Sequence, residues 1–362
     1  AMPREHPARD ESPQISGEPP PPRAKRPVAI LLAALAAGAL MGSFEIANTS
    51  IGWHLASGRL ILEQRAIPEA DPFSLTAEGS PWLDHEWLFQ VAAALADRRG
   101  GAPALVGLRA LVVAALAALL LAVGMRSGLA PPAALLLALL CVAGARPRFF
   151  VRPELVTLLV APACVWLYLT RRERRPAIWA GGLAALMVVG VNAHGGALLV
   201  PFLLAGLLAA EIAQSLLGRR SDRGALGSGA VGVAVAALAV LANPAGWRLY
   251  AVPFELAQLV GQPHVSNPEW FPPSFAQVPQ LFVALAAALV VMGLRERSLV
   301  RWALLLMAGA LALRHLRHLG LLFVLLPLAA APALASWRAL AREDDEASAP
   351  ARRARLLALV AA

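Results

Sequence analysis

The sequence predicts an all-α polytopic membrane protein, a bundle of about ten to eleven transmembrane helices whose large first outer loop carries two interfacial helices. Three observations predict it. Of 362 residues, 58% are hydrophobic and only 15% charged, against roughly 25% charged in soluble domains. Mean hydropathy is +0.62. The apolar residues come in runs of roughly 17–25 with the charges between them, long enough to cross a hydrocarbon core as helices and too continuous for barrel strands. This composition excludes a soluble enzyme, a disordered regulator and a nucleic-acid-binding module. The net charge of +9 sits in short arginine runs between apolar stretches, so no nucleic-acid partner is expected. Cys141 and Cys164 lie inside apolar segments and imply neither a disulfide framework nor a metal site.

Residues 1–27 form a charged, proline-rich cytoplasmic tail, expected to be disordered. The membrane domain spans 28–337. Its ten apolar runs fall at about 28–46, 103–123, 129–145, 154–170, 177–193, 197–217, 226–243, 279–294, 300–314 and 319–337. Residues 338–362 read as a cytoplasmic linker, with the start of an eleventh run at Arg355-Leu356-Leu357. The first run follows Lys25-Arg26 without a clear A-x-A-like site, which favours an uncleaved signal anchor. With the N-terminus inside and the runs alternating, the inner segments hold 21 of the 32 basic residues, so the positive-inside rule fixes the orientation.

Several features run against that bias. His54, His85, His194, His264, His315 and His318 all fall outside, as does the short-loop triplet Arg146, Arg148 and Arg152. The triplet fits either lipid-headgroup contact or an anion bound at the outer face, where the planar arginine fork suits phosphate. The first outer loop, 47–102, is patterned. Residues 53–62 read as one short amphipathic helix, with Trp53, Leu60 and Ile61 on one side. Residues 85–95 read as a second, with Trp87, Val91 and Leu95 in register. Tryptophan-bearing helices beside membrane segments lie in the interface plane. The second outer loop, 244–278, is rich in proline and carries Trp247, His264, Glu269 and Trp270. These suit either stacking on a sugar or anchoring at the interface.

Trp53-His54-Leu55-Ala56-Ser57-Gly58-Arg59, then Ile67-Pro68, Asp71-Pro72-Phe73-Ser74, Pro81-Trp82 and His85-Glu86-Trp87-Leu88 form a loop signature. So do Arg152-Pro153, Asn192-Ala193-His194-Gly195-Gly196, Asn243-Pro244-Ala245-Gly246-Trp247, Glu269-Trp270 and Arg314 to His318 further along. On these motifs, over roughly 28–337, the chain resembles a family of bacterial polytopic membrane proteins grouped with the GT-C glycosyltransferases. The resemblance implies a GT-C-like bundle in the cytoplasmic (inner) membrane of the cell envelope. It also implies a polyprenyl-phosphate-linked sugar as donor and chemistry on the outer face. The family carries acids shortly before the Trp-His pair, where this chain has Asn48 and Ser50. Catalysis then moves to another acid, or the chain is a non-catalytic membrane subunit that binds lipid-linked substrate or scaffolds a complex of membrane proteins.

Such a transfer needs a base for the acceptor hydroxyl, cations or a metal for the departing phosphate, and a held sugar. Three acids are candidates for the base. Glu45 stands at the membrane boundary, where capping the next turn is the alternative. Asp71 precedes Pro72 and equally suits an Asx turn. Glu86 lies between His85 and Trp87 and could instead cap the second interfacial helix. For binding, His54 and Arg59 belong to the loop signature, and Arg152 leads for phosphate, followed by Arg146, Arg148 and Arg314. Ionisable groups near membrane depth are costly and point to function. His194 interrupts an apolar run, either facing a cavity or making a tight turn. Trp270 could stack on a sugar. His315 and His318 share a helix face, a weak metal pattern that leaves a divalent metal open while no cofactor is assigned; the favoured reading has them hydrogen-bond within the outer cavity, with His318 among the substrate-binding residues. A transporter is disfavoured because the charges cluster at the ends of the apolar runs, with Arg109 and Glu211 as mild exceptions.

Overall fold

Helix dominates because a chain in lipid must satisfy its backbone within each segment. The computed structural model describes residues 25–171, 174–218, 223–260, 262 and 267–346, without the side chains of 25–26, 223 and 338–346. Most of the tail, part of the two arginine runs 171–175 and 219–223, His264 and the run after Arg355 lie outside the described residues. Twelve α-helices are described: α1 (Lys25–Gly42), α2 (Ile51–Gln64), α3 (Trp87–Arg126), α4 (Pro131–Ala145), α5 (Glu154–Leu169), α6 (Pro176–Ala193), α7 (Leu199–Leu216), α8 (Arg223–Ala239), α9 (Val252–Val260), α10 (Pro279–Arg295), α11 (Leu299–Arg314) and α12 (Leu319–Glu346). The described residues form no sheet, only an isolated bridge between Ala70 and Pro81.

Each of the ten apolar runs becomes a helix, and α2 and the start of α3 cover the two segments of the 47–102 loop that the sequence patterns as short helices. Five stretches are long and apolar enough to cross a membrane: Trp87–Arg126, Pro176–Ala193, Gly195–Leu216, Gly224–Ala242 and Leu316–Trp337. Pro27–Gly42, Glu154–Leu169 and Pro279–Arg295 are shorter apolar helices. The chain is an all-α integral membrane protein.

The core gathers around α12. Leu319 to Ala333 is buried almost throughout, packed by α3, α4, α5, α10 and α11. A helix that is apolar all round belongs inside a bundle. On the flank, α1 meets α3 through small residues. A Cβ at Gly38 would stand 2.8 Å from Ala114 Cα, and one at Gly42 2.8 Å from Ala110 Cα. Backbones approach this closely only where both faces lack bulk, the usual basis of helix pairing in lipid. Fully buried Arg109 of α3 then serves the end of α1. It donates from Nε to Gly42 O at 2.6 Å and from Nη2 to Phe44 O, with its guanidinium 3.7 Å above the Phe44 ring. A helix end leaves its last carbonyls unpaired, and Arg109 supplies the donors.

Two sets of connections lie at opposite ends of the bundle. At one end, Arg171 donates to Glu211 of α7 at 2.6 Å, to Ser228 Oγ of α8 at 3.0 Å, and to Tyr168 O at 2.8 Å. The other end carries the 43–86 loop, the breaks between α4 and α5 and between α6 and α7, and the 240–278 and 315–318 turns. The site lies there.

Candidate functional site

Chain breaks build the site. Helix α6 stops at Ala193, His194 is extended, and the 3₁₀ turn Gly195–Leu198 restarts the chain as α7. Here His194 Nδ1 is 2.8 Å from Thr157 Oγ1 of α5 and accepts the Gly196 N–H at 3.2 Å. A backbone N–H can only donate, so Nδ1 is bare and the proton of neutral His194 sits on Nε2. Glycine is required beside it. A Cβ at Gly195 would come within 2.9 Å of His85 Nε2, and one at Gly196 within 2.6 Å of the His194 ring.

Two asparagines fasten the loop that leads into α3. Asn243 Nδ2 donates to His85 O at 3.1 Å and to Val191 O at 2.9 Å, and Asn192 Oδ1 accepts from Trp87 Nε1 at 2.7 Å. The Glu86 carboxyl is thereby set between two imidazoles. Its Oε1 lies 3.8 Å from both His85 Nε2 and His194 Nε2. Burial, then the neighbouring Asp84, push Glu86 up to about 8 against the pull of Arg317. Asp84 is itself raised to about 6 by burial, although Gln90 donates to it at 2.7 Å. Burial also lowers His85. His194 is lowered well below its usual value by burial and then by Arg317. At neutral pH the trio is therefore uncharged, with its proton on Glu86.

These groups line one cavity of about 680 Å³. Its polar end holds His85, Glu86, Glu154, His194, Arg317 and His318; its apolar side is built by Leu199 and Phe202 of α7, Leu256 and Leu259 of α9, and Leu311 of α11. Helix α9 lies within the proline-rich second outer loop and contributes its apolar face without burying a residue fully. A shallower groove shares Leu199, Phe202 and Leu311 and continues past Met307 to Arg314.

The arginines divide into different roles. Arg148 pairs with Glu154 and with Glu269 (3.2 Å), and Arg152 reaches Glu269 at 2.9 Å and Ser50 Oγ at 3.0 Å. Burial opposes ionisation of Glu269, but Arg148 and Arg152 outweigh it and hold the carboxyl below its usual range. Arg317 lies 4.2 Å above the Trp270 ring and makes no ion pair among the described residues. His315 Nδ1 donates to Trp270 O at 2.6 Å and fixes that turn.

Of the residues singled out from sequence, Glu86, His194, Trp270, His315 and His318 line the cavity. Arg148 and Arg152 stand beside it, engaged by Glu154 and Glu269. The others stand apart. Glu45 is exposed. Asp71 accepts from the Phe73 and Ser74 backbone N–H groups at 2.8 and 3.0 Å, the Asx turn. Arg59 pairs with Asp97 at 2.6 Å on the surface. Exposed Arg146 covers the Phe44 ring, and exposed Arg314 ends the shallow groove. His54 is buried against Trp53 and Phe89, where burial and then Arg152 lower it to about 3. Glu154 and Thr157 were missed. The signal for Glu154 was an acid opening a helix directly after Arg152-Pro153; Thr157 gave none. Among the described residues no three His, Cys, Asp or Glu side chains are grouped to hold a metal ion. No family model matches the chain, and no curated protein matches it.

Proposed function

We propose that the chain is a membrane glycosyltransferase that moves a sugar from a polyprenyl-phosphate-linked donor to an acceptor hydroxyl on the outer face of a bacterial cytoplasmic membrane. The two-sided cavity carries this reading. It joins an apolar wall on α7, α9 and α11 to a polar end with a neutral carboxyl and an arginine that makes no ion pair among the described residues. An amphiphile with a long hydrocarbon chain and an anionic head matches both halves, whereas a free sugar would leave the apolar wall wet. The GT-C-like loop signature supports the same substrate class. The inner placement of 21 of 32 basic residues supports an outward-facing cavity.

In an inverting displacement the acceptor oxygen bonds to the anomeric carbon as the bond from that carbon to the phosphate oxygen breaks. The polyprenyl phosphate leaves with the electron pair, and the hydroxyl proton passes to a base. Glu86 is the cavity carboxyl placed to take it, once its own proton has passed to the bare Nε2 of His85 or to solvent and left the carboxylate, and it displaces Glu45 and Asp71 from that role. Arg317 is the cation for the departing phosphate, since Arg148 and Arg152 are engaged with Glu154 and Glu269. The planar guanidinium over Trp270 keeps its N–H edge for a phosphate.

Mass spectrometry of lipids co-purifying with the detergent-solubilised protein tests the reading. A polyprenyl phosphate or its sugar adduct, retained by the wild type and lost in Arg317→Ala, is the expected result. Ordinary phospholipids alone, equal in both, overturn it. A second reading, a non-catalytic subunit on the same scaffold, draws on Asn48 and Ser50. These two bind Val151 O (3.2 Å) and Arg152 (3.0 Å) where the family carries acids. Lipid retention without transfer from a radiolabelled donor, in membranes that hold the natural acceptor, selects that reading.

A further inference from the structure

The geometry points to a proton-holding triad: His85 and His194 act as positioning residues that present opposite hydrogen-bonding faces to one oxygen of Glu86 and so set the pH at which that carboxyl can accept a proton. The inference deepens the transferase reading and rests on it for the use to which the carboxyl is put.

The asymmetry comes from what holds each ring from behind. His194 Nδ1 accepts from Gly196 N–H, so its Nε2 carries a proton toward Glu86. His85 Nδ1 lies 3.3 Å from Leu83 O, an atom that can only accept, so Nδ1 carries the proton and Nε2 faces Glu86 bare. One imidazole is thus a donor to Glu86 and the other an acceptor. At 3.8 Å both contacts exceed a direct hydrogen bond. A bridging water spans such a gap, and catalytic contacts of this kind tighten when ligand binds. Donation from His194 favours the carboxylate. Acceptance by His85 favours the neutral acid. The carboxyl needs both: an acceptor for the proton it holds at rest, and a ready donor to stabilise the charge once that proton has left and the carboxylate acts as base.

Other charges face this group. Asp84 and Arg317 act on Glu86 directly. Glu154, Glu255, His315 and His318 line the same cavity. His54 and Arg148 act on His194. None of them distinguishes the two imidazoles by sign, because both imidazoles are neutral and meet the same oxygen.

Asparagine separates the roles of the two ring nitrogens. At either position its amide can replace Nδ1, donating to Leu83 O or accepting from Gly196 N–H, while nothing replaces Nε2. The experiment is an infrared pH titration of the Glu86 carboxyl in the full detergent-solubilised chain, its band assigned by loss in Glu86→Gln. The midpoint is expected to rise by roughly one pH unit in His194→Asn and to fall by roughly one in His85→Asn. Midpoints that move the same way, or neither moving, overturn the triad. Should His194→Asn fail to fold, His194→Gln returns an amide N–H to the Nε2 position. It is expected to keep the wild-type midpoint, and a rise of a unit or more there overturns the inference. The titration reads the carboxyl without any substrate, so failed sugar transfer would sink the transferase reading and leave this result standing.

Discussion

Glu86 shows how one residue can be placed by its neighbours and then limited by them. A carboxyl held near 8 in the folded chain, against an ordinary value of 4.5, keeps a proton that the unfolded chain has released. Between those values the folded state binds more protons, so stability falls as pH rises from about 4.5 to about 8. Glu86→Gln removes that slope. In detergent, thermal unfolding of Glu86→Gln should match wild type near pH 5 and exceed it near pH 8, while sugar transfer is lost. His54, lowered from 6.5 to about 3, slopes the other way: its contribution is lost as pH falls through that lower window. A variant that parallels wild type across pH 5–8 would show that Glu86 carries no raised affinity for its proton.

At the scale of elements, the close approach of α1 to α3 depends on the absence of side chains. Gly38→Leu would drive a side chain into the Ala114 backbone and Val113 O, neither of which can rotate away. The expected loss is about 1–3 kcal/mol or more, seen as a lower unfolding temperature in detergent. Gly107→Leu, on the same helix pair and facing open space, is the control and should unfold with wild type. The helices over the ten apolar runs were legible in the sequence because an apolar run of that length satisfies its backbone as helix; five stretches are long and apolar enough to cross a membrane. The second interfacial helix was legible by its tryptophan and leucine spacing. Its continuation into the next membrane helix was not. Non-helical Gly100 and Gly101 sit inside one element, Trp87–Arg126, and a glycine pair reads equally as a loop. Helix α9 escaped notice because the prolines around it signal loop and its apolar face is short.

Across the whole molecule, the two ends hold separate polar clusters joined by apolar helices. The Arg171–Glu211 pair, with side chains 3% and 11% exposed, ties α5, α7 and α8 at the end away from the cavity. Glu211→Ala leaves a buried cation without its partner, a cost of about 3–5 kcal/mol. It should lower the unfolding temperature strongly while lipid retention by the folded fraction stays at the wild-type level. Lost retention would mean the two ends are coupled. The candidate site was legible only in pieces. Glu86, His194, Trp270 and His318 were each found by type and placement. That Glu269 neutralises Arg148 and Arg152 was not, because ion pairs across more than a hundred residues leave no local trace. Glu45 and Asp71 attracted attention by position along the chain, and only the fold separates an acid beside a cavity from one facing water or closing a turn.

The glycine pair inside α3 also has a mechanical meaning. Gly101, at φ 57, is the joint between two helical halves, and the fifteen residues from Glu86 to Gly100 are a lever arm of about 21 Å, since each step between them rises about 1.5 Å. A swing of only about 2° about that joint sweeps the tip by about 0.8 Å, the amount by which a 3.8 Å separation must shrink to reach hydrogen-bonding range. The membrane half of the helix would stay fixed against Gly38 and Gly42. Leverage of this kind would let a body anchored in lipid trim the reach of its carboxyl, against the restraint of the Trp87–Asn192 and His85–Asn243 hydrogen bonds that hold the tip of the arm.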